Sequence, residues 1–79
     1  MFSLRAQWKE ELVVTGPGGS FTLAFWMGIP TVDFPTEERW AEVAPKWAQP
    51  HWHELKAELE DWCRFNNARL EINPMATIW

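Results

Sequence analysis

The chain of 79 residues has a single cysteine, only seven basic residues and no long apolar run, and each shortage excludes a class of protein. Cys63 has no second thiol to join, so no internal disulfide forms. One cysteine with two histidines also falls short of the four ligands of a structural zinc site. No stretch approaches the ~18–20 apolar residues that cross a bilayer. The segment 1–20 carries Glu10 and Glu11 without an apolar run of signal-peptide length, so export by the usual route is not expected. A lone thiol agrees with a reducing compartment, and a cytoplasmic location is expected. The seven bases are scattered singly, whereas proteins that neutralise phosphates carry a basic stripe. Direct nucleic-acid binding and binding to an anionic membrane are therefore disfavoured.

What the chain does have is aromatic bulk: seven Trp and five Phe in a composition that is 47% apolar and 23% charged. Such a composition is globular. A chain of this length buries only about 60% of its unfolded surface, so large side chains must compensate for a small core. One domain spanning 1–79 is expected.

From Phe2 to Trp8 the residues Phe2, Leu4, Ala6 and Trp8 alternate with polar ones, the period of a strand with one dry face. Leu12-Val13-Val14-Thr15 reads as a second strand, and Gly16-Pro17-Gly18-Gly19 as a hairpin turn. Ser20 to Met27 alternates again, with Phe21, Leu23, Phe25 and Met27 on one face and Thr22, Ala24 and Trp26 on the other. Thr31 to Phe34 makes a fourth strand, with Val32 and Phe34 inward. After Pro35 the period changes. Thr36 is a good N-cap, Glu37 and Glu38 suit a helix N-terminus, and Trp40, Val43, Ala44 and Trp47 share a helical face that Pro45 interrupts. This predicts a helix over about Glu37–Ala44 and then a turn carrying Trp47. A second helix is predicted from about Pro50 to Asn66, its stripe formed by Trp52, Leu55, Leu59, Trp62 and Cys63. Leu70 and Ile72 alternate with Arg69 and Glu71 in a last strand. The expected fold is α+β: an antiparallel sheet of about four to five strands, an N-terminal meander plus the C-terminal strand, with two helices packed on one face.

Candidate chemistry is sparse. His51 and His53 flank Trp52 and would point about 160° apart on a helix, so they do not share a metal ion. Cys63 lies in the apolar stripe and behaves there as a small hydrophobe. Ser3 and Ser20 sit in strand patterns, not in a nucleophile elbow. Asp33 with Glu37, or Glu58 with Asp61, could in principle serve as acid–base pairs, but solvated helix faces account for the same residues. The Gly16–Gly19 run lacks the Gly-Lys-Ser/Thr ending of a phosphate loop. No catalytic, cofactor or metal site is expected.

Two features remain. Between Asp33 and Asp61 the charge sums to −5, against +1 for the rest of the chain. Five tryptophans (Trp8, Trp40, Trp47, Trp52 and Trp62) fall on expected core faces, whereas Trp26 shares its strand face with Thr22 and Ala24, and Trp79 trails the last strand. These features point to a non-enzymatic domain that occludes a basic surface on a protein partner, as immunity proteins, antitoxins and phage-encoded inhibitors of nucleases or host defence complexes do. The expected contact residues are Glu38, Glu42, Glu54, Glu58, Asp61 and Trp26. The alternative is a regulatory or structural homodimer that pairs, or holds an apolar ligand, through an exposed aromatic sheet face.

Overall fold

The computed structural model describes every residue except Met1, Trp8, Lys9 and Met27. The expected core position of Trp8 and the inward face of Met27 lie outside the described residues. The elements run β1 (Ser3–Gln7), β2 (Glu11–Gly16), β3 (Gly19–Trp26), β4 (Thr31–Pro35), α1 (Glu37–Val43), a 3-10 helix (Lys46–His51), α2 (Trp52–Phe65) and β5 (Arg69–Asn73). The fold is α+β, and its strands form one sheet in the order β1-β2-β3-β4-β5.

Strands β1 to β4 make an antiparallel meander. The sheet is nevertheless mixed, because β5 joins β4 in parallel, with Val32 opposite Leu70 and Phe34 opposite Ile72. The cause is the connection. The chain leaves the end of β4, passes through three helical segments and returns to the start of β4, so the next strand runs the same way.

Alternation decides which face is dry. Leu12 and Val14 of β2, Phe21, Leu23 and Phe25 of β3, and Val32 and Phe34 of β4 are buried in one cluster with Leu55, Leu59 and Cys63 of α2. Each inward Phe meets a tryptophan from the helical layer. Phe21 and Phe34 contact Trp40 at ring separations of 5.6 and 5.4 Å, Phe34 stacks on Trp52 at 5.9 Å, and Phe25 meets Trp62 edge-on at 5.6 Å. Aromatic pairs of this kind contribute about 0.5–1.5 kcal/mol each beyond area burial. Two of these indole N–H groups find carbonyls as well: Trp40 donates to those of Ala48 and Gln49, both at 3.2 Å, and Trp52 to that of Pro35 at 3.0 Å. The dry face of β1 is less covered than its alternation implies, since Leu4 is half-buried and Ala6 exposed at the sheet edge.

The helix limits follow from capping and proline. Thr36 Oγ1 accepts from the Arg39 N–H at 3.2 Å and starts α1. Pro45 ends it, because a residue before proline is pushed out of the α region, and Ala44 is extended at φ −75° and ψ 145°. Pro50 lies inside the 3-10 helix, so α2 begins at Trp52, the first residue of its apolar stripe and two residues later than the expected start at Pro50.

The C-terminal residues fill a gap in the sheet. β4 pairs with β3 only along Ala24–Trp26. Beyond it Thr22 and Trp79 exchange both backbone hydrogen bonds, at 2.7 and 3.1 Å, and Ile78 bridges Leu23. The Arg39 Nε–H anchors this segment by donating to the Ala76 carbonyl at 2.9 Å.

Candidate functional site

The five acids singled out on the helices are divided between two elements, Glu38 and Glu42 on α1 and Glu54, Glu58 and Asp61 on α2. Glu58 and His53 of α2 point about 140° apart around the helix axis at 100° per residue. Glu58 Oε1 accepts from the Phe2 N–H at 2.9 Å, on the β1 side, whereas His53 Nε2 lies 3.2 Å from Glu37 Oε2 of α1. By the same rotation Glu54 and Asp61 point about 100° and 80° from His53, on the outward side of α2 opposite its buried stripe, while Glu38 and Glu42 sit on α1.

Most of these acids also have partners. Glu42 pairs with Arg39 at 3.2 Å, Glu54 with His51 Nδ1 at 3.1 Å and Asp61 with Arg64 at 2.7 Å. Exposed pairs of this kind are worth little and leave the charge accessible to a partner. Glu38 is exposed and has no hydrogen bond or ion pair among the described residues.

The two histidines diverge onto separate acids, and among the described residues no group of three His, Cys, Asp or Glu side chains could hold a metal ion. Asp33 and Glu37, an acid pair suggested by spacing, turn to different partners. Asp33 is buried and accepts from Asn73 Nδ2 at 3.0 Å, while Glu37 contacts His53. Cys63 is buried, and loss of solvation pushes its thiol above the ordinary value.

The opposite sheet face carries no helix, and its two ends differ. Toward β1 and β2 it is a polar ladder, in which Arg5 donates to Gln7 and Gln7 to Glu11, each at 3.2 Å. Toward β3, β4 and β5 it opens into a groove of about 650 Å³ lined by Trp26, Gly28, Ile29, Thr31 and Leu70, with Glu10, Arg69 and Glu71 among its charged walls. Trp26 is 44% exposed and Ile29 is 67% exposed. The loop that presents Ile29 is pinned by Thr31 Oγ1, which donates to the Ile29 carbonyl at 2.8 Å, and by the Arg69 N–H, which donates to Pro30 at 2.8 Å.

Trp79, 59% exposed, stands beside Thr22 on the same strand row as Trp26, roughly 13 Å away at 3.3 Å per residue. The two indoles thus share a face without touching. Trp26 was visible in sequence as an indole out of place on its strand. Ile29, Arg69 and Glu71 were not, because only the register of β5 on β4 brings them to the same groove.

The chain matches no protein-family model, no curated protein and no solved structure. No helix among the described residues is long and apolar enough to cross a membrane.

Proposed function

We propose that this is a non-catalytic, cytoplasmic protein-binding domain that occludes a basic surface on its partner, with Trp26 as the anchor. The observation that carries the reading is the groove at Trp26 and Ile29, a cleft whose charged walls are two carboxylates, Glu10 and Glu71, and one guanidinium, Arg69. A large indole half open to solvent beside an exposed isoleucine is suited to receive an apolar side chain, and tryptophan is enriched where interfaces concentrate their binding energy. Acids beside such a cleft favour a partner whose surroundings are basic. The net charge of −4 adds attraction at longer range, supplied largely by the helical acids Glu38, Glu42, Glu54, Glu58 and Asp61.

Immunity proteins, antitoxins and phage-encoded inhibitors act through this physics, and the domain is read as one of that kind. The deciding experiment captures partners from the native host with the wild-type chain and repeats the binding with Trp26→Ser and Glu10→Lys. Both variants should melt as the wild type does and lose affinity, Trp26→Ser mainly through a faster off-rate. Undiminished binding by Trp26→Ser would remove the groove from the interface.

A further inference from the structure

The outer side of β5 is a sheet edge with no strand beside it among the described residues. The Arg69 N–H donates toward β4, to the Pro30 carbonyl at 2.8 Å, which sets the direction of the whole strand backbone. Successive residues alternate, so Leu70 and Ile72 turn their N–H and C=O groups outward. The side chains of Arg69 and Glu71 lie on the uncovered face. Both are exposed, and neither has a hydrogen bond or ion pair among the described residues. On the other face of the strand, Leu70 is half-buried and Ile72 is 37% exposed. An open edge with apolar side chains is a template for another strand, and natural sheets usually block it.

We infer that β5 pairs antiparallel with β5 of a second copy of this chain, about a two-fold axis that sets Leu70 opposite Leu70 of the partner subunit. The charges choose this register. It places Arg69 opposite the partner's Glu71, and the same pair recurs across the axis, so two unpaired charges on each copy become two cross-strand ion pairs. The Leu70 backbone exchanges both hydrogen bonds with its counterpart, as its outward groups require. A register centred on Glu71 would set two carboxylates directly opposite each other in the closely spaced, non-hydrogen-bonded position. One centred on Ile72 sets Glu71 against an asparagine and forgoes both ion pairs. The other edge lacks this complementarity, since Arg5 of β1 is already bonded to Gln7 at 3.2 Å. The pairing draws on Arg69 and Glu71 of the groove wall but not on its anchor, because Trp26 lies on β3, two strands from the edge.

Sedimentation velocity up to millimolar protein tests this. The wild type should dimerise reversibly. Arg69→Glu and Glu71→Arg should each weaken self-association by roughly tenfold or more, because each turns both ion pairs into like-charge contacts. The double variant Arg69→Glu/Glu71→Arg should restore the dimer, and an equimolar mixture of the two single variants should form a heterodimer. All are exposed substitutions, and thermal melts at dilute concentration check that each variant folds. A wild type that stays monomeric throughout overturns the inference. So does a dimer indifferent to both reversals, and one that is lost only on Trp26→Ser would place the contact on the sheet face.

Discussion

The indole of Trp47 occupies the space that a β-carbon on Gly16 would need: its Cζ3 atom lies 2.6 Å from that position, and Phe2 Cε1 lies 2.8 Å away on the same glycine. Gly18 is as closely covered, with Trp47 Cβ 2.6 Å from its would-be side chain. The glycines of the β2–β3 hairpin therefore serve a ring delivered by the 3-10 helix, as well as the turn itself.

Gly16→Ala should consequently destabilise the fold by about 1–3 kcal/mol, the usual cost of forcing a methyl group into occupied space. Gly28→Ala is the control. Nothing lies within 4 Å of its would-be β-carbon, and its urea midpoint should stay within about 0.5 kcal/mol of wild type. Equal melting of the two variants would mean that Trp47 does not rest on the hairpin.

Leu59 is fully buried at the centre of the α2 stripe. Leu59→Ala should cost on the order of 2–5 kcal/mol in a urea melt, a large part of the stability of a domain this small. Glu54→Ala should shift the melt by less than about 0.5 kcal/mol, because its contact with His51 is a partly exposed pair. A loss under about 1 kcal/mol for Leu59→Ala would contradict its place in the core.

The contrast between these residues also marks how far the sequence could be read. Period-2 alternation identified the dry faces of β3 and β4, and the spacing of Leu55, Leu59 and Cys63 identified the buried side of α2, because both depend on local geometry alone. Leu70 and Ile72 alternate in the same way whether β5 runs up or down, so its parallel direction was hidden in the crossover that precedes it. Alternation likewise says which way Ala6 points but not how far the helices reach over β1. Trp47 was expected on a turn after Pro45, but its seat on glycines about thirty positions away leaves no local signal. For the candidate site, Trp26 stood out by breaking its own pattern. Its neighbours Ile29 and Arg69 carry no local signal, since they meet only through the register of β4 with β5.

Cys63 offers a test in pH. Burial disfavours its thiolate and raises the thiol above its ordinary value of 9.0. An unfolded chain releases that proton near the ordinary value while the folded chain keeps it, so the unfolded state gains from ionisation as pH rises. The stabilising effect is complete below pH 9.0 and is lost upward through the raised value. Urea midpoints should thus fall over the alkaline range for the wild type and fall less for Cys63→Ala. Thiol-reactive probes should label the folded protein slowly at neutral pH and rapidly once it is unfolded.

The helical acids should act through rate rather than through fit. The Glu38 carboxylate has no partner among the described residues, and Glu42 holds only an exposed contact with Arg39 at 3.2 Å, so reversing both to Lys should leave the melt unchanged. Association with a basic partner should slow in the same variant. The wild-type on-rate should itself fall as salt shortens the Debye length from about 10 Å at 0.1 M to about 3 Å at 1 M. Because Glu54, Glu58 and Asp61 belong to α2 and not to α1, reversing those three instead tests a separate set, and the larger change in on-rate shows which helix's acids meet the partner first. Stopped-flow kinetics against salt for the two charge-reversed variants and Trp26→Ser separate the contributions. If both reversals leave the on-rate and its salt dependence untouched, the acids are only a solvated surface, and binding depends on the groove alone.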